Sequence, residues 1–168
     1  MNDSFFASAP SLGAEKPSAF WIRAADMNRR ELVLATLATA GEYANFLPVQ
    51  VQKIFFLIDR KASHLVGGPH FRFTPYDYGP FDSNVYDILD ELKVEGLVVI
   101  DPSGRYRRYY LSNAGFTAGE DVLFRLPEPT KHFLRETVHW VRSLRFDQLV
   151  AAIYRDYPDM KVNSIFRS

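Results

Sequence analysis

Residues 82–111 read D-S-N-V-Y-D-I-L-D-E-L-K-V-E-G-L-V-V-I-D-P-S-G-R-Y-R-R-Y-Y-L. Val85, Ile88, Leu89 and Leu92 fall at i, i+3, i+4 and i+7, the spacing that collects apolar side chains on one face of a helix. Asp82 or Ser83 supplies an N-cap oxygen, and Gly96 supplies a stop. Leu97 to Ile100 is β-rich, Asp101-Pro102-Ser103-Gly104 has Asp, Pro and Gly where a type I turn favours them, and Arg105 to Leu111 is β-rich again. The stretch predicts a helix followed by a two-stranded hairpin.

Upstream, Asn28 with Glu31 three residues later forms a capping-box pattern, opening a helix that closes at Gly41 and buries Val33, Leu34, Leu37 and Ala38. A second helix begins near Pro48, whose missing N–H costs nothing at a helix start, and carries Val51, Ile54, Phe55 and Ile58 on one stripe. Gln52, Lys53, Asp59 and Arg60 fall outside that stripe. After Gly67-Gly68-Pro69, Phe71 to Thr74 alternates like a short strand, and the prolines and glycine of Pro75-Tyr76-Asp77-Tyr78-Gly79-Pro80-Phe81 exclude a helix. Downstream, Ser112 caps a short helix around Ala114 to Val122. Thr130 caps a longer one to about Leu144, with Phe133, Leu134, Thr137, Trp140, Val141 and Leu144 on one side, and Asp147 to Tyr157 forms the last, stopped by Pro158.

Helix, helix, short strand, helix and hairpin is the winged-helix order, with the third helix in the recognition slot and the hairpin as wing. The expected fold is therefore mainly α with a small β hairpin, an α+β winged helix-turn-helix core with additional C-terminal helices. Residues 1–26 lack a helix or strand period and read as a mostly flexible arm, with Phe5, Phe6, Phe20 and Trp21 tucked against the domain. Residues 27–125 form the winged-helix domain, and 126–168 a helical extension packing on it or on a second subunit. The gap of about 20 residues between the second and third helices exceeds the tight turn of a helix-turn-helix, which argues against standard groove docking.

The chain has 168 residues, 47% hydrophobic and 24% charged, a composition that supports one packed domain. The absence of cysteine excludes disulfides and thiol chemistry. No apolar run approaches the ~20 residues of a membrane helix, and the N-terminus lacks a basic flank followed by an apolar segment, so the expectation is a cytoplasmic protein with no membrane partner. Lys plus Arg and Asp plus Glu are each 20, yet the charge is segregated. Residues 1–71 hold 7 cations against 6 anions, 72–101 hold 2 against 7, and 102–168 hold 11 against 7.

That segregation shapes the candidate sites. The third helix turns Asp87, Asp90, Glu91 and Glu95 outward with Lys93 as sole counterweight. Such a face is either a solvated surface or a docking face for a basic protein, because between two rows of phosphates it would repel DNA. On the hairpin, strand alternation puts Arg105, Arg107 and Tyr109 on one side and Tyr106, Arg108 and Tyr110 on the other; these arginines either touch nucleic acid or simply stack over tyrosines. On the Thr130 helix, Lys131, Arg135 and Arg142 lie within about 40° of one another, a basic stripe open to solvent or to an acidic surface such as DNA. His132, Glu136 and His139 have a spacing compatible with a metal but lack the close His pair of zinc proteases, so no metal or cofactor is assigned. No nucleophile with a base and no phosphate loop is present, and Asp77 reads as a turn residue; the chain is expected not to be an enzyme.

V-Q-K-I-F-F-L from Val51, Y-D-Y-G-P-F from Tyr76 and V-Y-D-I-L-D-E-L-K-V-E-G-L-V from Val85 resemble the bacterial SocA-like antitoxin (Panacea) domain and the related small YwgA-like proteins, over about residues 45–116. Y-Y-L-S-N-A-G from Tyr109 is similar to the strand-to-helix exit of many winged-helix regulators. The most distinctive shared features are Gln52 and Lys53 within an apolar helix, coupled to Tyr78, Gly79 and Pro80. The resemblance implies an antitoxin or adaptor that holds another protein, a toxin or other client. The alternative expectation is a DNA-binding regulator using the wing arginines and the basic helix, as a homodimer paired through its C-terminal helices.

Overall fold

Asn28 starts the first helix as the capping pattern predicts: its side chain accepts the Glu31 N–H at 2.8 Å and the Glu31 carboxylate accepts the Asn28 N–H at 3.0 Å. This helix, α1, spans Arg29–Ala38 in the computed structural model, which describes residues 18–167. The remaining helices are α2 (Pro48–Ala62), α3 (Ser83–Val94), α4 (Asn113–Arg125), α5 (Glu128–Ser143) and α6 (Phe146–Asp156). Strands β1 (Thr74–Tyr76) and β2 (Gly79–Phe81) form one antiparallel pair, and β3 (Val98–Asp101) and β4 (Arg108–Leu111) another. Among the described residues the fold is thus mainly helical with two small strand pairs, an α+β arrangement. Among the described residues no helix is long and apolar enough to cross a membrane.

The centre of the molecule is α2. The stripe Val51, Ile54, Phe55 and Ile58 is buried as expected, but burial runs unbroken from Val51 to Ile58 and takes Gln52 and Lys53 inside with it. An amphipathic reading put those two outside, and the structure corrects it. Helix α5, α3 and strand β2 pack around α2, so it has no solvent face along those two turns.

The expected strand at 71–74 is displaced. The Asp59 carboxylate accepts the N–H groups of His70 and Phe71 at 2.9 Å each, and the Asp82 carboxylate accepts that of Arg72 at 2.7 Å. Side-chain oxygens therefore take the amide protons that a ladder would use, and pairing begins only at Thr74, opposite Phe81. The hairpin at 98–111 forms where predicted, with Val98 opposite Leu111 and Asp101 opposite Arg108. Its second strand is shorter than the β-rich run: Arg105, Tyr106 and Arg107 lie in the connection, so the alternation expected for them does not apply. Residues 102–107 connect the strands as bends rather than the four-residue turn expected at 101–104, and the Asp101 carboxylate accepts the Ser103 N–H at 2.9 Å at the start of that connection. Phe46 pairs with Tyr109 through both backbone groups, at 2.8 and 2.9 Å, and ties the segment before α2 to β4.

Ser112 caps α4, accepting the Gly115 N–H at 3.0 Å. Helix α5 starts at Glu128, two residues before the predicted cap; Thr130 is buried in its first turn and donates to the Leu65 carbonyl at 3.2 Å. Leu134, Thr137, Val138 and Val141 form its buried face, whereas Trp140, expected there, is exposed. The apolar face of α5 packs on α2 of its own chain. Before α1, Ile22 is buried and its N–H donates to the Arg125 carbonyl at 3.0 Å; Phe5 and Phe6 lie outside the described residues.

Helices α1 and α4 cross closely at Gly119, where an added Cβ would stand 2.4 Å from the Leu34 carbonyl oxygen and 2.7 Å from the Ala38 Cβ. Gly119→Ala is therefore predicted to lower stability by about 1–3 kcal/mol through forced separation of the helices, despite the better helix propensity of alanine. Urea titration checks this; a neutral or stabilising result would mean the crossing is looser than described.

Candidate functional site

Gln52 and Lys53, adjacent on α2, are 2% and 3% exposed, and both reach residues 80–82. The Gln52 side chain donates to the Asp82 carbonyl and accepts the Asp82 N–H, each at 3.0 Å. The Lys53 amine donates to the Pro80 carbonyl at 3.2 Å. Asp82 uses its own carboxylate to cap α3, accepting the Asn84 N–H at 2.9 Å. Two side chains from one helix thus fix both the end of β2 and the start of α3.

Gly79 makes this possible. Its φ of +100° turns the β1–β2 hairpin, a conformation that L side chains disfavour. An added Cβ would lie 3.6 and 3.7 Å from Lys53 Cε and Nζ, and 3.4 Å from the Tyr154 ring. Of the five residues that carried the resemblance, the structure brings Gln52, Lys53, Gly79 and Pro80 into one cluster. Tyr78 stands at its edge, its ring 5.1 Å from that of Phe146 on α6.

Over this cluster opens a cleft of about 610 Å³, within the range of about 300–1,000 Å³ of small-molecule sites. Leu47 to Gln50 border it at the start of α2, Tyr76 to Gly79 and Phe81 along the first hairpin, Tyr86 on α3, Tyr106 from the second hairpin, and Phe146 and Leu149 on α6. Gln52 and Lys53 line it from α2, and Asp77 is the one carboxylate among the lining residues. Burial holds the Lys53 amine well below its ordinary range, at about 7. It forms no ion pair among the described residues.

The predicted charged sites divide into engaged and open groups. On α3, Asp87, Asp90 and Glu91 are exposed and unpaired among the described residues. Glu95 is not: it closes an ion pair of 2.7 Å with Arg30 of α1, which lowers its carboxyl below the usual range. Arg107 folds back over the rings of Tyr86 at 4.6 Å and Tyr109 at 5.4 Å, and these rings stack on each other at 6.2 Å. Burial raises the Tyr109 hydroxyl to about 12. Arg105 lies over Tyr106 at 5.4 Å, and Arg108 is exposed opposite Asp101. In the basic stripe of α5, Lys131 pairs with Glu128 at 2.6 Å and Arg142 lies over Phe46 at 5.2 Å, leaving Arg135 the more open cation. His132, Glu136 and His139 point to solvent, and among the described residues no group of three His, Asp or Glu is placed to hold a metal ion.

Sequence reasoning missed Tyr86, Tyr106 and Phe146 as cleft residues. Tyr86 sits one position from the apolar stripe of α3, and nothing in sequence spacing ties Phe146 to Tyr78. No protein-family model matches the chain, and neither the curated proteins nor the solved structures give a match.

Lys53 makes stability depend on pH. The native state releases its proton near 7 and the unfolded chain near 10.5, so between these values the unfolded state binds more protons and stability rises with pH. Below 7 both states are charged and the burial cost is fully present. Lys53→Met removes that cost, and the variant is predicted to compare more favourably with wild type at about pH 6 than at about pH 9.5 in urea titrations. A difference independent of pH would show that the folded protein tolerates the ammonium without penalty.

Proposed function

We propose that this chain is a noncatalytic bacterial binding protein, cytoplasmic and antitoxin- or adaptor-like, that engages a basic protein partner through α3 and the adjoining β3–β4 hairpin. One observation carries the reading. At 100° per residue, Tyr86, Asp90, Asp87 and Glu91 follow one another around about 140° of the outward side of α3, so three unpaired carboxylates adjoin the aromatic rim of the cleft. An aromatic anchor next to open charge suits recognition of a cationic polypeptide, where the ring supplies contact area and the carboxylates supply attraction and register.

The order α1, α2, α3, β3, β4 supports a winged-helix reading, with the β1–β2 pair filling the long gap between the second and third helices. In that reading α3 occupies the recognition slot, and its carboxylates oppose insertion between phosphate rows. The resemblance to the SocA-like antitoxin domain points the same way, toward a toxin or other client protein.

A second reading, a DNA-binding regulator, draws on the exposed Arg105 and Arg108 of the hairpin and on Arg135. It has fewer open cations than the sequence promised, since Arg107, Lys131 and Arg142 are engaged within the chain. A homodimer serving it would form on the outward side of α5, because the apolar face packs on α2.

Affinity capture from the source bacterium, with wild type and with the combined variant Asp87→Asn, Asp90→Asn, Glu91→Gln, tests the reading. Wild type is expected to retain a basic polypeptide at low salt, and the variant to retain at least about tenfold less. Equal recovery would overturn the assignment of the face. Tight binding to duplex DNA, with a salt slope that flattens in Arg105→Ala, Arg108→Ala, would replace it with the second reading.

A further inference from the structure

The cleft holds a feature that protein docking on α3 does not use: an amine at its floor without a counter-ion. Lys53 has three N–H donors when protonated, and the Pro80 carbonyl takes one of them. The side chain lines the cleft, so the remaining donors have the cavity as their outlet. A buried ammonium is costly unless an anion pairs with it. The rings of Tyr76, Tyr78, Phe81, Tyr86 and Phe146 line the same cleft.

We propose that the cleft binds an apolar monocarboxylate, with the carboxylate on the Lys53 amine and the hydrocarbon or ring against the paired rings of Tyr78 and Phe146. The ligand supplies the missing charge, and the aromatic walls supply the burial that holds it. Other groups near the amine set the selectivity. Asp77 brings a second negative charge to the cleft and disfavours dianions. The hydroxyl of Tyr86, which burial holds above its ordinary range, stays protonated. A free organic acid and the C-terminal carboxylate of a polypeptide share this chemistry.

Because Lys53 releases its proton near 7 in the free protein, binding above that pH requires proton uptake. Affinity is then constant from about pH 5, below which the ligand's own carboxylate takes up a proton, to about pH 7, and falls by up to about tenfold per unit above it.

Calorimetric titration of the purified protein tests the proposal, with phenylacetate, phenylacetamide, and a short peptide ending in Phe with a free or amidated C-terminus as probes. Phenylacetate or the free-carboxylate peptide is expected to bind at least about tenfold more tightly than its amide, with affinity falling as pH rises. Preference for phenylacetate identifies a free acid as the source, and preference for the peptide a chain end. Lys53→Met is expected to erase the discrimination between acid and amide, while Phe146→Ala, at an exposed wall residue, weakens both alike. No saturable binding of either carboxylate to wild type up to about 10 mM would overturn the proposal. So would affinity that does not change with pH, or an acid preference that survives in Lys53→Met. The variant neutralised at Asp87, Asp90 and Glu91 is expected to bind phenylacetate as wild type does, which separates failure here from failure of the protein-partner reading.

Discussion

Two polar side chains lie inside a helix that is otherwise walled by apolar core, and the architecture around them follows from how they are satisfied. A buried amide or amine without partners costs on the order of 1–3 kcal/mol or more. Gln52 meets this constraint by matching both backbone groups of Asp82, and Lys53 by donating to the Pro80 carbonyl. Because the partners are main-chain atoms, what is fixed is the path of the chain. Strand β2 must end, and α3 must begin, at one place against α2. Asp82 extends the same network outward, capping α3 with one carboxylate oxygen and holding the Arg72 N–H with the other.

From that fixed junction the surface follows. The turn at Gly79 lifts Tyr76 and Tyr78 over the start of α2, α6 brings Phe146 against Tyr78, and α3 presents Tyr86 on the far side. The cleft is the space these rings leave above the Lys53 amine. Its wall continues into the open carboxylates of α3, so an apolar site with a cation at its floor adjoins an acidic surface. The C-terminal segment braces this arrangement: the Ile165 N–H donates to the Asp77 carbonyl at 2.9 Å, and the Phe166 ring lies 6.2 Å from that of Phe146. The two proposed roles, steering of a basic partner and capture of an apolar anion, thus fall on neighbouring surfaces.

Local chemistry was legible in the sequence, and long-range chemistry was not. The caps at Asn28, Asp82 and Ser112 and the α3 stripe depend on residues a few positions apart, and all formed as read; the connection after Asp101 is longer than the four-residue turn expected there. Gln52 and Lys53 were placed outside the α2 stripe because periodicity assumes one solvated face, and α2 has none along those turns. The β1–β2 pair escaped notice because carboxylates from Asp59 and Asp82, remote in sequence, hold the preceding segment out of a ladder. The acidic and basic patches were visible as composition, yet the loss of Glu95 to Arg30 and of Arg107 to two tyrosines depends on tertiary neighbours. For the candidate site, the motif residues were visible and their convergence was not.

The most direct measurement of the central claim is amide hydrogen exchange in wild type and in Gln52→Leu, a replacement of similar volume that removes both hydrogen bonds to Asp82. The account predicts that protection at the amides of Asp82, Arg72 and Asn84 falls by more than about tenfold while the α1–α4 crossing keeps its protection. Unchanged protection at those three amides would contradict it, since the junction would then hold without the side chain said to fix it.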